Sequence, residues 1–174
     1  MLPDLLSQVV RVFFLRYLES AADRLDHYAA ERGLRMLSPA DRLLLGAAAG
    51  LGHALAAAAA YFVGLLPYSA GPGTVYTPKC ARVSLFMAAA WQCLAWTLLH
   101  GGSMVVAIAG RRSHKPTQLY APPVYHAACA AAACLSLADG GCVAALPLQV
   151  CIGALAAAHA MLVAARAAQS GARF

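Results

Sequence analysis

The chain has 174 residues, of which 61% are hydrophobic and 11% charged, and its mean hydropathy is +0.65. Soluble domains carry roughly a quarter charged residues, so this composition excludes an ordinary soluble domain and indicates an integral membrane protein. The chain has 13 Lys and Arg against 7 Asp and Glu, an excess of positive charge that is also found in nucleic-acid-binding proteins. The placement of these residues along the chain instead favours a role in membrane topology, and no nucleic-acid binding is predicted.

Residues 1–42 are predicted to form a cytosolic amphipathic region. Its apolar run at 9–18 is interrupted by Arg11 and Arg16, so it is too short to span a bilayer, and it lacks the small-residue cleavage site of a secretory signal peptide. Two interpretations stay open for this run. It is either an interfacial amphipathic helix or the end of a span whose beginning is absent.

The boundary between this region and the next helix carries stop and start signals. Gly33 is expected to end the first helix, since glycine commonly follows the last helical residue. Ser38 followed by Pro39 is typical of a helix start, with serine as the cap and proline at the first helical position.

Four runs without a charged residue follow. Spanning a bilayer as helix takes roughly 20 apolar residues, and each run is long enough. The runs are Leu43–Leu66, Val83–Ala109, Thr117–Ala138 and Cys142–Ala165. The predicted fold class is therefore all-α, a polytopic membrane protein with four transmembrane helices over 43–166 and a short cytosolic tail at 167–174. The prolines and glycines of 67–79 are expected to break any helix between the first two spans.

The basic residues alternate along the chain. The loop between the first two predicted spans holds only Lys79 and Arg82, and the last loop holds none. The others lie before the first span, between the second and third, or after the fourth, as with Arg16, Arg24, Arg32, Arg35, Arg42, Arg111, Arg112, Lys115, Arg166 and Arg173. Because cytosolic loops carry the excess of Lys and Arg, both termini are predicted to be cytosolic.

Six cysteines are scattered without a CxxC motif. Most fall inside predicted spans, where a free cysteine behaves as a small apolar residue. Cys80 and Cys142 flank loops on the same, non-cytosolic side. The two could meet in an oxidising lumen, but nothing in their spacing requires a disulfide, so a free thiol at each is the favoured expectation.

The first predicted span carries small residues on one face, at Gly46, Gly50 and Ala54. Such a face lets another helix approach backbone to backbone, which is how transmembrane helices commonly associate. The spacing therefore predicts an interface helix.

Two histidines lie inside predicted spans at matched depth. His100 lies 13 residues before the centre of the connection at Ser113, and His126 lies 13 residues after it. In an antiparallel hairpin both come to the same depth, roughly 15 Å from the cytosolic end, and are expected to face each other. Ionisable groups at such depth commonly mark a functional or assembly site. His53 and His159 lie in the same half, but no polar residue is near either in sequence, so a packing role is expected for both.

Three function classes compete for these histidines: an assembly site for a partner chain, a haem or metal site, and packing alone. A haem or metal protein remains an alternative, since facing histidines of four helices can ligate either. The spans hold no carboxylate and the sequence no HxxxH spacing, so a metal site is not predicted. There is also no GxSxG and no intramembrane aspartate pair, so the chain is not expected to be an enzyme. The third class is a membrane protein whose histidines only pack.

Several segments together resemble the anterior-pharynx-defective family, the polytopic scaffold subunit of gamma-secretase. They are the basic-aromatic stretch at 8–25, the small-residue motif with Gly46, Gly50 and Ala54, the Ala-Gly-Pro-Gly at 70–73, the histidines at 100 and 126 with their separation of 26, and the Leu-Pro-Leu-Gln at 146–149. The resemblance runs from about residue 8 to about residue 170. The chain departs from the family in lacking the first three helices apart from the end of the third, and in having Ala54 where the family usually has glycine.

The resemblance implies a non-catalytic assembly subunit without a cofactor. Its implied partners are presenilin, which carries the catalytic aspartates, nicastrin and the presenilin-enhancer subunit. It would support intramembrane proteolysis of type I membrane proteins, including Notch signalling, in the endoplasmic reticulum, Golgi and plasma membrane. By this analogy Gly46, Gly50 and Ala54 would pack against partner helices, while His100 and His126 would line a polar pocket that binds presenilin.

Overall fold

The computed structural model describes residues 2–70, 76–77 and 79–169. The helices are α1 (Leu2–Glu31), α2 (Pro39–Ser69), α3 (Leu85–Arg112), α4 (Pro116–Cys134) and α5 (Cys142–Gln169), with a short 3-10 helix at Leu135–Leu137, and the strands are β1 (Tyr76–Thr77) and β2 (Cys80–Ser84). The all-α prediction is confirmed except for the antiparallel pair of short strands between α2 and α3. The Gly-Pro-Gly at 71–73 and the last five residues of the predicted tail lie outside the described ranges.

Helix α3 is the centre of the bundle and packs against α2, α4 and α5. Nearly all of its residues from Leu99 to Gly110 are buried. Glycines allow the neighbouring backbones to approach. A Cβ atom added to Gly102 would lie 2.6 Å from the Ala156 carbonyl oxygen of α5, and one added to Gly153 would lie 2.7 Å from the Ala95 carbonyl oxygen of α3. The α3–α5 contact therefore depends on small residues, as membrane helix pairs often do.

The predicted stop and start signals between α1 and α2 are confirmed. Gly33 has φ 64°, and the Gly33 and Leu34 amides donate to the carbonyls of Ala30 and Ala29, which is a Schellman motif at the end of α1. Ser38 caps α2 with its side chain accepting from the Asp41 amide. The Asp41 carboxylate in turn accepts from the Ser38 amide at 2.8 Å, which completes a capping box.

Ion pairs attach α1 to the cationic end of the bundle. The Arg42 side chain of α2 is buried and donates to Asp23 of α1 at 2.9 Å and also to Asp26. Glu19 of α1 pairs with Arg111 at the end of α3. A buried arginine is stable only when its charge is paired, so these contacts determine where the C-terminal half of α1 lies.

The opposite end of the bundle is closed by a disulfide between Cys80 of β2 and Cys142 of α5, with 6.0 Å between the two Cα atoms. The expectation of two free thiols was wrong. The residues are 62 apart in sequence, so no local pattern signals the pairing. Two hydrogen bonds join the same segments: the Lys79 ammonium donates to the Leu137 carbonyl at 2.7 Å, and the Gly140 amide donates to the Lys79 carbonyl at 2.8 Å. We call these three links the clasp.

Within the described residues, three helices are long and apolar enough to cross a membrane: α2, α3 and α5. Helix α4 does not join them, because its 19 residues include Pro122, Pro123, His126 and several other polar groups. Four spans are thus not confirmed. The predicted helix break at 67–79 was also placed early, since α2 continues through Pro67 to Ser69.

Candidate functional site

Three histidines from three helices lie in contact inside the bundle. The rings of His100 on α3 and His126 on α4 have centroids 4.9 Å apart, so their predicted facing is confirmed. His53 of α2 joins them from the other side, with its ring centroid 4.6 Å from that of His100. His100 is central and buried, His126 is half-buried and His53 is exposed at the bundle surface. We call these three residues the histidine cluster.

The packing of α2 on α3 explains why His53 belongs to the cluster. A Cβ atom on Gly50 would lie 2.7 Å from the His100 carbonyl oxygen, so the absence of a side chain there brings the two backbones together. His53 follows Gly50 by three residues and therefore lies on nearly the same face of α2. The expectation that His53 stands without a polar neighbour was wrong. The sequence held a signal for this contact. His53 is 11 residues from Arg42 and His100 is 12 residues from Arg112, so the two histidines lie at similar depth from the same end of the bundle.

The fourth histidine is satisfied by a neighbouring helix. His159 of α5 shares a hydrogen bond of 3.1 Å with the Tyr125 hydroxyl of α4. The expected packing role fits this bond, but the expectation of no polar neighbour was wrong here too. Tyr125 immediately precedes His126 on α4, so the polar residues of α4 connect the cluster to α5.

A cavity of about 340 Å³ opens beside the cluster, between α1 and the α2–α3 pair. Its walls are apolar except for two imidazoles. They are formed by Val10, Phe14, Ala49, Gly52, His53, His100 and Met104. The cavity therefore makes part of the cluster accessible from the side of the bundle. In an apolar environment an accessible imidazole favours a hydrogen-bonding partner.

The small-residue face of α2 lies against α3 of the same chain. Ala54 is fully buried, and Gly46 lies beneath Ile108, where an added Cβ would be 2.5 Å from the Ile108 side chain. The three small residues thus support the intrachain contact that brings His53 to His100. Sequence reasoning identified this face but not its occupant.

Sequence reasoning also missed two buried polar side chains of the bundle. Ser103 of α3 is fully buried and Gln149 of α5 is 2% exposed. Neither the Ser103 hydroxyl oxygen nor the Gln149 side-chain carbonyl oxygen has a hydrogen-bond partner among the described residues. Gln149 lies in the Leu-Pro-Leu-Gln segment that carried part of the resemblance, and its polarity within an apolar run was the available signal.

The geometry of the cluster does not favour the haem or metal alternative. The described residues include no group of three or more His, Cys, Asp or Glu placed to hold a metal ion. The imidazole rings of the cluster contact each other directly, which leaves no space for a porphyrin between them. Direct ring contact is instead typical of a buried polar network between helices.

Comparison with known proteins agrees with the resemblance in the sequence. A family model described as the Aph-1 protein matches residues 5–167. A gamma-secretase subunit described as APH1-like, from Arabidopsis thaliana, is 30% identical over 150 residues, which cover 86% of this chain and 60% of the relative. The chain thus spans about 60% of that relative's length. No solved structure matches the chain. With the family model covering nearly all of its residues, this chain belongs to the Aph-1 family.

Proposed function

We propose that this chain is a non-catalytic subunit of a gamma-secretase complex and that the histidine cluster is where it contacts a partner helix. The observation that carries the proposal is the cluster itself, since three imidazoles from three helices lie in contact, and ionisable groups within apolar spans commonly mark a functional or assembly site. The name of the Arabidopsis relative supports the identity of the complex.

Access to the cluster supports a partner rather than internal packing alone. His53 is exposed at the surface of α2, and the cavity beside it reaches His100. A partner side chain in that cavity would hydrogen-bond an imidazole and bury apolar surface of α1. His126 lies behind His100 and would stabilise its orientation. Gly46, Gly50 and Ala54 would contribute by keeping α2 close enough to α3 for the site to exist.

The distribution of acids supports a non-catalytic role. Proteolysis within a membrane by the aspartyl mechanism needs two aspartates that share one proton. The chain has no Asp or Glu between Asp41 and Asp139, and none after Asp139. In the proposed complex presenilin supplies the catalytic pair, while nicastrin and the presenilin-enhancer subunit complete the assembly. The complex would act on type I membrane proteins, Notch among them.

We further propose that α4 is the fourth span and that both termini face the cytosol. The packing of α4 supports a fourth span, because α4 contacts α3 and α5, which are both long and apolar enough to cross a membrane. The disulfide supports the orientation, since disulfides persist in oxidising compartments and the Cys80–Cys142 bond lies at the end opposite most arginines. The endoplasmic reticulum, Golgi and plasma membrane are the proposed locations.

The test is affinity purification of the tagged full chain from eukaryotic membranes in mild detergent, followed by mass spectrometry. Presenilin and nicastrin should be recovered with the wild-type chain and reduced at least tenfold with His100→Ala or His53→Ala. Loss of one buried hydrogen bond to a charged partner is worth roughly 1.5–3 kcal/mol, which corresponds to a loss of about tenfold or more.

The matched control is His27→Ala, which removes an exposed imidazole of α1 that pairs only with Glu31 among the described residues. Its recovery of partners should equal that of the wild-type chain. Recovery of a well-folded wild-type chain without either partner would refute the proposed function. Equal recovery with His100→Ala would refute the role of the cluster while leaving the subunit assignment intact.

A further inference from the structure

The cationic end of the bundle carries a groove that the histidine cluster does not involve. It has a volume of about 510 Å³ and lies between one face of α1 and the end of α3. Its lining residues are Arg16, Glu19, Ser20, Asp23, Arg24, His27 and Arg111. The α1 members recur at i, i+3, i+4, i+7, i+8 and i+11 from Arg16, so they form a single polar stripe along the helix.

Both acids of the groove take part in ion pairs with arginines. Glu19 pairs with Arg111, and Asp23 accepts from Arg42 at 2.9 Å. Arg16 and Arg24 have no carboxylate partner among the described residues, and both are exposed. The three arginines and two acids of the groove therefore leave a net charge of +1, with Arg16 and Arg24 as its exposed cations.

The groove begins where the apolar part of α1 ends. Val12, Phe13 and Phe14 are exposed apolar residues of the turn before Arg16, and Tyr17 directly follows it. Apolar and aromatic side chains beside an arginine are typical of a helix at the boundary between acyl chains and headgroups. In the topology proposed above Arg16 would lie at the headgroup level, and Arg24, eight residues on, lies roughly 12 Å further along the helix axis.

We propose that this groove binds the anionic headgroup of a membrane phospholipid, with Arg16 and Arg24 as the phosphate-binding residues. Arginine suits this ligand because its guanidinium donates in parallel to two oxygens of one phosphate. The paired Arg111 and Glu19 would form the wall facing the bundle, and the Ser20 hydroxyl, one turn after Arg16, would donate to the same phosphate. Such a lipid would be drawn from the leaflet on the arginine-rich side, the cytosolic leaflet in the topology proposed above.

The experiment uses the purified full chain in detergent micelles and native mass spectrometry. Phosphatidylserine, phosphatidylinositol 4,5-bisphosphate and phosphatidylcholine with identical acyl chains are titrated separately. The anionic lipids should bind more tightly than phosphatidylcholine. Replacing both arginines, Arg16→Gln with Arg24→Gln, should weaken anionic lipid binding roughly 25-fold, which is about 5-fold for each charge near a membrane surface.

Two further variants separate the groove from charge in general. Arg166→Gln removes one exposed positive charge at the same end of the bundle, on α5 and outside the groove, and should change lipid binding less than twofold. Arg16→Lys with Arg24→Lys keeps both charges but loses the parallel donation, so it should weaken binding less than the glutamine variant does, which also guards against misfolding of the glutamine variant. Equal binding of phosphatidylcholine, an equal loss with Arg166→Gln, or a full loss with the lysine variant would overturn the proposal. Displacement of the lipid by millimolar inorganic phosphate would show that the ligand is free phosphate and would also overturn it.

Discussion

Gly50 and Gly52 differ in what surrounds them, although they are two residues apart on α2. A Cβ atom at Gly50 would lie 2.7 Å from the His100 carbonyl oxygen and 2.9 Å from the Gly101 Cα atom, both of which belong to the α3 backbone. A Cβ atom at Gly52 would have nothing within 4 Å. The same substitution should therefore have opposite effects at the two positions.

Gly50→Ala is expected to lower the free energy of unfolding by about 1–3 kcal/mol, because a backbone obstacle forces α2 away from α3. Gly52→Ala is the matched control and should leave stability unchanged or raise it by up to about 1 kcal/mol through helix propensity. Thermal unfolding of both variants in the same detergent measures the difference. Equal stability of the two variants would contradict the close α2–α3 contact.

At the scale of elements, the position of α1 depends on polar contacts at one end of the bundle. The Leu37 amide donates to Asp26 at 2.6 Å, and this bond, together with the Arg42 guanidinium, holds the pKa of Asp26 below its ordinary value of 3.8. A carboxyl group whose pKa is lowered by folding stabilises the fold above its unfolded pKa. That contribution is lost as the pH falls through the folded pKa.

Asp26→Asn should accordingly lower the thermal midpoint at pH 7, where the wild-type carboxylate is charged. The difference between the wild-type chain and the variant should persist down to about pH 4 and shrink below it as Asp26 is protonated. Thermal unfolding in detergent from pH 7 to pH 3 tests this, with Asp139→Asn as a control at the other end of the bundle. A constant difference over the whole range would contradict the role of the Asp26 charge.

The clasp holds the other end of the bundle together, where it joins the short strands to α5. The disulfide closes a segment of 62 residues that includes α3 and α4, so it reduces the freedom of a large part of the unfolded chain. Cys80→Ser with Cys142→Ser should lower the free energy of unfolding by about 2–4 kcal/mol.

The control for this change is Cys134→Ser, which replaces an exposed free cysteine of α4 and should have little effect. Treating the wild-type chain with a reductant should reproduce the loss seen in the double variant. Thermal unfolding measures both, and thiol alkylation before and after reduction reports the bond directly. Alkylation of Cys80 without reduction would show that the bond is absent.

For the molecule as a whole, orientation in the membrane follows from where the charges and the disulfide lie. The chain has two lysines, and they lie at opposite ends of the bundle: Lys79 in the clasp and Lys115 in the connection between α3 and α4. In the proposed topology Lys79 faces the cell exterior or an organelle lumen, and Lys115 faces the cytosol.

A membrane-impermeant amine reagent should therefore label Lys79 on intact cells, while Lys115 should react only after permeabilisation. Lys79→Arg and Lys115→Arg assign the labelled site without changing the charge. Labelling of Lys115 on intact cells would reverse the orientation. Labelling of both lysines would mean that α3 does not cross the membrane as a single span.

The sequence alone determined which segments are helices, the capping signals between α1 and α2, the facing of His100 and His126, and the family. These features depend on local composition or on distance along a helix, which residue spacing encodes directly. Its prediction of a fourth span stays unconfirmed, because α4 lacks charges but carries prolines and polar groups that a charge count ignores.

The tertiary structure decided which helices meet and at what rotation. It placed the small-residue face of α2 against α3, added His53 to the cluster, joined His159 to Tyr125, and paired Cys80 with Cys142. Each of these contacts joins residues at least 34 positions apart on different elements. Helical spacing in one segment states how deep a side chain lies but not which neighbour it faces, because the neighbour is selected by the packing of all the helices together.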